Sequence, residues 1–409
     1  MKKNLIFIVL LFSLITTSFA SDSIYNIFDH QYPLKTQKVE LGIVGDVFLH
    51  APQIKLAYNK NNQEFDFSQL FTYLETDISA LDYAMFQLET TFSGYGNGDI
   101  LGYSSFPYFN SPDSLAKNIK DTGFDFANTA SNHSYDFSSL GLDRTIEILD
   151  ENGFDHTGTF KDSHQPYFEK TINGITFAFI DYSYGSNGNL VKDEDKDKFN
   201  NFYDYSDYSQ LFNDIEEAKS QNFDFIIVSI HAGVEYTSQA SEGQKELFND
   251  CLKAGADIIF GSHPHVLQPI EIVDTIDKQK LDRNKFIIYS LGNFLCNQID
   301  LSLFNGANTD FGTLLSLNFS KQANEQAIIE AFKITPTYLM RQDFGNVVVP
   351  VYQDLSEMAN YNFSDYNKSR IAKAKNYTID FLTQNINSDK IKSINKEGNG
   401  YLYQLNELE

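Results

Sequence analysis

Short apolar runs alternate with amphipathic stretches over most of this chain. Runs such as VELGIVGD, YAMFQLE and FDFIIVSIH are continuously apolar over the length of a strand. Stretches such as GLDRTIEILDENG and EGQKELFNDCLKAG repeat apolar residues at the spacing of one helix face and end at a glycine. The alternation predicts an α/β domain with a large sheet, or two stacked sheets, covered by helices.

Three segments between these runs carry more specific expectations. The stretch FDFSQLFTYLETDISALD has helical spacing and predicts a helix. Ser111 is expected as the N-cap of the next helix, with Pro112 at its first helical position and a glycine closing it. Residues 185–208 are polar and contain the charge run KDEDKDK, which is typical of a solvated insertion.

One main domain is the simplest organisation, because no internal repeat or proline-rich linker divides the chain. We assign residues 38–352 to this domain and expect its C-terminal part to be rich in β-strands. Residues 21–37 are expected to form an N-terminal arm, and residues 353–409 a peripheral C-terminal helical region. Residues 1–20 are assigned to a signal peptide.

The N-terminal segment has the pattern of a secretory signal. Lys2 and Lys3 precede an apolar run, and Ser18 and Ala20 stand at the −3 and −1 positions of a cleavage site. The run is shorter than the roughly 20 residues needed to span a bilayer, so cleavage is favoured over an uncleaved N-terminal membrane anchor. We therefore expect a periplasmic or otherwise extracytoplasmic protein.

The formal net charge of −24 constrains the partners of the protein. An acidic surface repels nucleic acid, and an anionic substrate would require a metal ion or a local basic pocket. The two cysteines, Cys251 and Cys296, are capable of pairing in an exported protein, but a free, partly buried state is favoured for both. They form no CxxC metal motif.

Acid, amide and imidazole side chains follow several of the apolar runs, at or just beyond the point where each run ends. These residues are Asp46, Glu89, Asn132, His133, His231, His263 and His265. Ligand sites of open α/β sheets gather at the carboxyl ends of the strands, so one shared site is expected. Taken singly, Asp46 also fits a turn or cap and His231 a packed core histidine. Four of the eight histidines lie at these run ends, which favours the site.

The two histidines of GSHPHV flank a proline. Pro264 is expected to hold His263 extended, and residues i and i+2 of an extended segment point to the same side. His263 and His265 would then serve one metal ion or two adjacent ions. Imidazole, carboxylate and amide donors suit Mn, Zn or Fe, whereas calcium sites are poorer in nitrogen and structural zinc sites contain thiolates.

The segments GDVFLH, LET, SNHSYDF, HAGVEY, GSHPHV and IIYSLGNF, in this order, resemble the CapA family over roughly residues 38–350. CapA proteins belong to poly-γ-glutamate capsule synthesis and share a fold with calcineurin-like metallophosphoesterases. The resemblance implies a four-layer αββα sandwich with a metal site at the strand ends. The full ordered set of segments is specific, whereas any single one is weak.

The resemblance also implies roles for individual residues around one or two divalent ions. The metal ligands would be Asp46 and His265 for the first ion, Asn132, His231 and His263 for the second, and Glu89 for both. His133 would act as general acid or would stabilise the developing oxyanion, and Asp136 would orient it.

Two positions depart from the phosphoesterase pattern. Phe48 stands where an Asp-x-His motif supplies a further ligand to the first ion, and Glu89 stands where an aspartate is usual. His50, two residues beyond Phe48, is a candidate to reach the site. His50, Glu235 and Tyr236 are assigned to substrate binding, the last two also being candidates to support the ligands.

The resemblance leads us to expect an exported protein of poly-γ-glutamate capsule synthesis, attachment or release. Metal-dependent hydrolysis or transfer at a γ-glutamyl amide is one possible activity. A non-catalytic accessory subunit of a membrane polymer synthase and a periplasmic metallophosphatase are the alternatives. The expected partners are poly-γ-glutamate or another anionic polymer and membrane-bound synthase subunits, and not nucleic acid.

Overall fold

The computed structural model describes most of the chain after its N-terminal segment. The described residues are 36–203, 207–275, 283–299, 306–342, 345–351 and 363–406. The expected signal peptide and almost all of the expected arm lie outside these ranges. Within them, no helix combines the length and the apolar character needed to cross a membrane.

Strands and helices alternate along the described chain. The strands are β1 (Gln37–Val47), β2 (Tyr58–Asn59), β3 (Glu64–Phe65), β4 (Tyr83–Leu88), β5 (Phe126–Asn128), β6 (Asp155–Thr157), β7 (Phe168–Ile172), β8 (Ile175–Ser183), β9 (Phe225–His231), β10 (Ile258–Ser262), β11 (Leu267–Thr275), β12 (Arg283–Leu291), β13 (Asn293–Leu295), β14 (Phe311–Lys321), β15 (Ile328–Gln342), β16 (Gly345–Pro350), β17 (Ile391–Glu397) and β18 (Gly400–Leu405). The α-helices are α1 (Ala51–Ala57), α2 (Glu75–Ser79), α3 (Ser114–Thr122), α4 (Ser138–Glu151), α5 (Ser209–Ser220), α6 (Glu242–Ala254) and α7 (Asp365–Thr383).

The strands form two large sheets and one small hairpin, β2–β3. The first sheet has the order β17-β18-β15-β14-β1-β4-β5-β6, with β13 beside β1 and β16 beside β15. The second has the order β11-β12-β10-β9-β8-β7. Strands β1, β4 and β5 pair in parallel, and so do β8, β9, β10 and β12. Each parallel set therefore presents its carboxyl ends at one edge.

The main core lies between the two sheets. Ile43 and Met85 of the first sheet belong to one buried cluster with Phe177 and Ile227 of the second. A second cluster covers the other face of the first sheet with side chains of α3 and α4. A third covers the other face of the second sheet with side chains of α5 and α6. The expected α/β fold of four αββα layers is confirmed.

Local hydrogen bonds explain where helix starts differ from the sequence-based expectation. The FDFSQLFTYLETDISALD stretch forms a 3₁₀ turn and the short α2 instead of one helix. The carboxylate of Asp66 accepts from the N–H of Ser68 at 2.9 Å and caps the 3₁₀ turn, which ends at Leu70 and does not continue into α2. Ser111 is not an N-cap, because its hydroxyl bonds Thr90 at 2.9 Å. The helix begins at Ser114 and closes at Gly123, whose φ is 111°.

The 185–208 segment, described except for residues 204–206, packs against the rest of the protein in part. Asp195, in the middle of its charge run, is buried and accepts a hydrogen bond from the Tyr135 hydroxyl at 2.6 Å. Lys198 pairs with Asp143 at 3.0 Å. The expectation of a wholly solvated insertion is therefore wrong, because the run supplies one acid to the protein interior.

The C-terminal part is not a peripheral helical region, and this expectation is wrong. Strands β17 and β18 form a hairpin, and β18 extends the first sheet beside β15. The ring of Tyr403 in β18 stacks on Phe332 in β15 with centroids 4.8 Å apart. Helix α7 buries Ile371, Ala374 and Leu382 in the main core. Aromatic and aliphatic burial thus makes this region part of the domain.

We predict that Arg370 in α7 is needed for stability. Its Nε donates to Asp310 Oδ2 at 2.9 Å, both side chains are buried, and the guanidinium lies 4.3 Å from the Phe311 ring centroid. Arg370→Leu leaves a buried carboxylate unpaired and should lower the free energy of unfolding by about 3–5 kcal/mol. Urea denaturation measures this loss.

The control for this prediction is Lys368→Leu, which removes an exposed ion pair with Asp365 and should cost less than about 1 kcal/mol. The double variant Arg370→Leu/Asp310→Leu should recover part of the loss. Equal effects of Arg370→Leu and Lys368→Leu would contradict the assignment.

Candidate metal centre

Asp46 is placed at the end of β1 by an unusually close approach of two backbones. The N–H of Asp46 donates to the carbonyl of Gly292 at 3.1 Å. A Cβ atom at Gly45 would overlap that carbonyl oxygen, so only glycine fits before the aspartate. In the sheet register Asp46 lies opposite Asn293 of β13. The Asp46 side chain is completely buried.

The first sheet supplies three further side chains. Glu89 directly follows β4 and is 1% exposed, and its N–H donates to the carbonyl of Val47 at 3.0 Å. Asn132 and His133 lie in the tight loop that follows β5, and both are buried. Hydrogen bonds from the Ser134 hydroxyl to backbone carbonyls, including that of Thr129 at 2.6 Å, shape this loop. These side chains therefore face the centre from rigid strand ends.

His231, the last residue of β9, joins the two sheets. Its Nε2 lies 2.9 Å from Asn132 Oδ1 on the first sheet. Its Nδ1 lies 2.9 Å from the hydroxyl of Ser262, its register partner at the end of β10. The imidazole is fully buried, with both nitrogens in contact with polar atoms.

The His-Pro-His segment after β10 adopts a turn that differs from the expected extended geometry. His263 has φ of 92° and His265 has φ of 57°, so the expectation that Pro264 holds His263 extended is wrong. Positive φ is unfavourable for residues with a Cβ. The turn is held by the His263 N–H, which donates to Asp46 at 3.3 Å, and by the Pro264 carbonyl, which accepts from Tyr236 N–H at 2.8 Å. The two rings still lie close, with centroids 5.9 Å apart.

The side chains gather into two triads that share one carboxylate. Asp46, Glu89 and His265 form the first triad, and Glu89, His231 and His263 form the second. Within each triad one ligand atom per residue lies within 4.8 Å of the others. Glu89 Oε1 lies 3.5 Å from His231 Nε2 and 3.8 Å from His265 Nε2. Glu89 thus lies between the two triads.

Unpaired polar atoms show that this cluster fits divalent metal ions. Asp46 Oδ1, Glu89 Oε2 and His263 Nδ1 are buried and have no hydrogen-bond partner. Buried atoms of this kind are costly unless another group satisfies them. Carboxylate oxygens and imidazole nitrogens are donors for Mn, Zn and Fe. The residues present therefore fit the divalent metal ion that the sequence implied. They do not select among Mn, Zn and Fe.

The buried charges perturb one another strongly. Burial and the neighbouring Glu89 raise the pKa of Asp46. Burial alone would raise the pKa of Glu89, but His265 and His231 outweigh it and lower this pKa to about 2. Burial would lower the pKa of His265, whereas Glu89 and Asp46 raise it to about 9. Burial and two neighbouring histidines hold the pKa of His263 well below its usual range. The charge on each buried acid or imidazole of the centre therefore shifts the pKa of its neighbours.

His133 lies beside the triads and is held in position by Asp136. Its Nδ1 lies 2.7 Å from Asp136 Oδ2. The same carboxylate accepts from the N–H of Phe109 at 2.7 Å and from the side chain of Asn189 at 3.2 Å. The Phe109 ring meets the His133 ring edge to face at 4.6 Å. Asp136 thus fixes the His133 ring and leaves Nε2 as the nitrogen free to act.

Phe48 and His50 line the same side of the centre. Phe48 is 1% exposed, and its ring lies 5.4 Å from that of His265 and 5.2 Å from that of His50. His50 Nδ1 accepts a hydrogen bond from the N–H of Asn297 at 3.2 Å. Burial and the nearby His265 lower the pKa of His50 to about 4. His50 lies near the centre but belongs to neither triad.

The predicted Glu235 and Tyr236 lie at the mouth of the centre. The Tyr236 ring stacks against His265 with centroids 5.8 Å apart. Its pKa is raised above its usual range by burial and by Glu235, so its hydroxyl is protonated at neutral pH. Glu235 is exposed and forms a third group with His263 and His265. The structure brings every predicted site residue to one place.

Asn293 is a site residue that the sequence reasoning missed. Its Oδ1 lies 3.0 Å from His265 Nδ1, and its amide nitrogen donates to the backbone carbonyl of His265 at 3.2 Å. The contact fixes the ring and directs Nε2 toward Glu89. Asn293 lies in the run NKFIIYSLGNF, two residues beyond the end of β12. The same strand-end rule that selected Asp46 would have found it.

Comparisons with known proteins agree with the ordered motifs. Residues 40–298 match the family model described as bacterial capsule synthesis protein PGA_cap. The capsule biosynthesis protein CapA of Bacillus anthracis is 25% identical over 64% of this chain and 61% of its own length. The PGA biosynthesis protein CapA of Bacillus subtilis (strain 168) is 30% identical over 44% of this chain and 45% of its own length. The matched parts thus cover less than two thirds of these relatives.

Two solved structures overlap with this one in part. A phosphatase from Mycoplasma pneumoniae has a TM-score of 0.42 at 15% identity, over 74% of this chain and 94% of its own. The calcineurin-like phosphoesterase YfkN from Bacillus subtilis has a TM-score of 0.43 at 12% identity, over 85% of this chain and 99% of its own.

We predict that Gly45→Ala disrupts both stability and metal binding. The new methyl group must push β1 away from Gly292 and so displace Asp46. A loss of about 1–3 kcal/mol in the free energy of unfolding is expected, as for other overpacked sites. Thermal unfolding with and without Mn²⁺ measures the loss and the metal-induced stabilisation.

The matched control for this variant is Gly243→Ala in α6, where a Cβ meets no atom within 4 Å. This variant should be as stable as the wild type or more stable. A Gly45→Ala protein that keeps the wild-type midpoint and metal response would refute the close-approach account.

Proposed function

Because the chain belongs to the bacterial capsule synthesis protein PGA_cap family, we propose that it is an exported metal-dependent enzyme of poly-γ-glutamate capsule synthesis, attachment or release. The reaction is hydrolysis or transfer at a γ-glutamyl amide. The observation that carries this proposal is the pair of buried triads that share Glu89 and leave ligand atoms unpaired. A site with only a structural role has no need for such costly unpaired groups.

The charge of the chain supports the need for a metal in this reaction. The protein carries a formal net charge of −24, and the polymer is a polyanion. Attraction must then come from a local source of positive charge. The metal centre supplies it at the point of reaction. The proposed location outside the cytoplasm and the membrane-bound synthase subunits proposed as partners follow from the signal-like N-terminus and the capsule role.

The metal ligands and His133 would have different roles in the reaction. Divalent ions held by the triads and by Asn132 would polarise a carbonyl or phosphoryl oxygen and make water more acidic. His133 acts at the leaving group or at the developing oxyanion, where its protonated Nε2 donates. Asp136 holds the His133 ring in position through Nδ1. The buried position of His133 and its contact with Phe109 limit the water around it.

A second candidate is a non-catalytic accessory subunit of the polymer synthase. The observation that favours it is Phe48, whose apolar ring lies where a further ligand of the first ion is expected. A chain that binds polymer or synthase subunits would keep the fold without turnover. A periplasmic metallophosphatase is a third candidate, and its substrate would be a phosphoester.

We predict that His133→Gln lowers kcat by about 10²–10⁴-fold, the usual contribution of a positioned acid or base. Metal content should stay at the wild-type level, because His133 belongs to neither triad. The measurement is turnover of poly-γ-glutamate by the metal-loaded protein, followed by polymer length, with a p-nitrophenyl phosphoester in parallel. His156→Gln is the matched control, since His156 pairs with Asp150 outside the centre and its loss should leave kcat unchanged.

The wild-type result separates the three candidates. Polymer shortening or transfer that stops on chelation supports the proposal. Phosphoester turnover alone selects the metallophosphatase. If the metal-loaded protein turns over neither substrate and still binds polymer or synthase, the accessory function replaces the enzyme.

A further inference from the structure

The first metal position lacks a donor on the side of Phe48. Asp46, Glu89 and His265 form its triad, and the Phe48 ring closes one side with carbon atoms only. His50 does not fill this gap, because its Nδ1 is engaged by the Asn297 N–H and it belongs to no metal-capable group of the described residues. A further protein ligand for this ion would therefore come from another segment.

Glu235 is a carboxylate close to His265, one of the three residues of this triad. One of its oxygens lies within 4.8 Å of a nitrogen of His263 and a nitrogen of His265, and these two nitrogens also lie within 4.8 Å of each other. The two histidines are buried, whereas Glu235 is exposed. Its carboxylate thus approaches the centre from the solvent side, whereas the carboxylates of Asp46 and Glu89 are buried.

The backbone beside Glu235 is fixed over the His-Pro-His turn. Tyr236 has φ of 60°, and its N–H donates to the Pro264 carbonyl at 2.8 Å. Its hydroxyl accepts from Gln298 at 3.2 Å, and its ring stacks on His265. Such a strained residue persists only where its surroundings hold it. The backbone at Glu235 is therefore placed beside the turn by its neighbour.

An unpaired atom on the same turn points to a ligand. His263 Nδ1 is buried, and no hydrogen-bond partner satisfies it. A buried imidazole nitrogen without a partner is costly unless another group, such as a cation, satisfies it. A carboxylate at the solvent side and an imidazole beneath it are a common pair of metal donors.

We propose that Glu235 is a metal ligand, which binds a divalent ion together with His263 and His265 on the solvent side of the centre. This role differs from the substrate contact expected from the sequence. It rests on the metal centre of the proposed function. A carboxylate in this place neutralises charge on the ion and leaves the centre open to solvent on its side.

The test is Mn²⁺ binding to the metal-free full chain without substrate, by calorimetry and by metal content after gel filtration. Glu235→Gln should lower the affinity for one of the bound ions by about 10-fold or more. Even residues that only support a metal ligand contribute about 10–100-fold to metal affinity. Glu235→Asp should keep part of the affinity. Glu246→Gln, a change of an exposed glutamate on α6, should bind like the wild type.

Co²⁺ provides a second readout that a substrate contact would not move. Loss of a carboxylate ligand should change the visible absorption of the Co²⁺-loaded protein, and Glu246→Gln should leave the spectrum unaltered. His50→Gln should also bind Mn²⁺ like the wild type, because His50 is not in a triad.

The outcomes separate this inference from the proposed function. A wild type that binds no Mn²⁺, Zn²⁺ or Fe²⁺ overturns both. A wild type that binds ions while Glu235→Gln retains full affinity and an unchanged Co²⁺ spectrum overturns the role of Glu235 alone. A loss of affinity in His50→Gln, with none in Glu235→Gln, assigns the missing ligand to His50 and refutes the inference.

Discussion

Two carboxylates buried between the strand ends are the constraint around which the site is organised. Asp46 and Glu89 are almost inaccessible to solvent, and each keeps one oxygen without a hydrogen-bond partner. Burying such groups is costly unless charge and hydrogen bonds compensate. The imidazoles of His231 and His265 give part of the compensation from the second sheet. The fold therefore couples the packing of its two sheets to the chemistry of one centre.

The geometry also explains why strands, and not mobile loops, carry most of this centre. Parallel strands deliver their carboxyl ends to one edge, so donors distant in sequence meet with little loop involvement. The close contact between Gly45 and Gly292 sets the position of Asp46. Asn293, at the start of β13, then fixes the ring of His265. Rigid placement of this kind keeps metal donors at usable distances before an ion binds.

Features governed by local periodicity could be predicted from the sequence. Long apolar runs indicated the strands, and the position at the end of a run indicated Glu89 and His231 as site residues. The turn at His263 could not be predicted, because contacts with Asp46 and Tyr236 stabilise backbone angles that the local sequence disfavours. The strands near the C-terminus were missed because tertiary contacts, such as Tyr403 on Phe332, override a polar and helix-like composition.

The predictions of the helix cap at Ser111 and of a solvated insertion were wrong for a related reason. The hydroxyl of Ser111 meets Thr90, a residue distant in sequence, and is thereby removed from the helix start. Asp195 is buried by its bond to Tyr135, although its neighbours in sequence are charged. Asn293 shows the reverse case, since the strand-end pattern contained it and only its role was overlooked.

Anomalous scattering from crystals of the Mn²⁺-loaded protein tests the central claim most directly. The account predicts two anomalous peaks bridged by Glu89, one at Asp46 and His265 and the other at His231 and His263. The absence of a peak at these residues in crystals grown with excess metal, with the side chains in the same positions, would contradict a metal centre here.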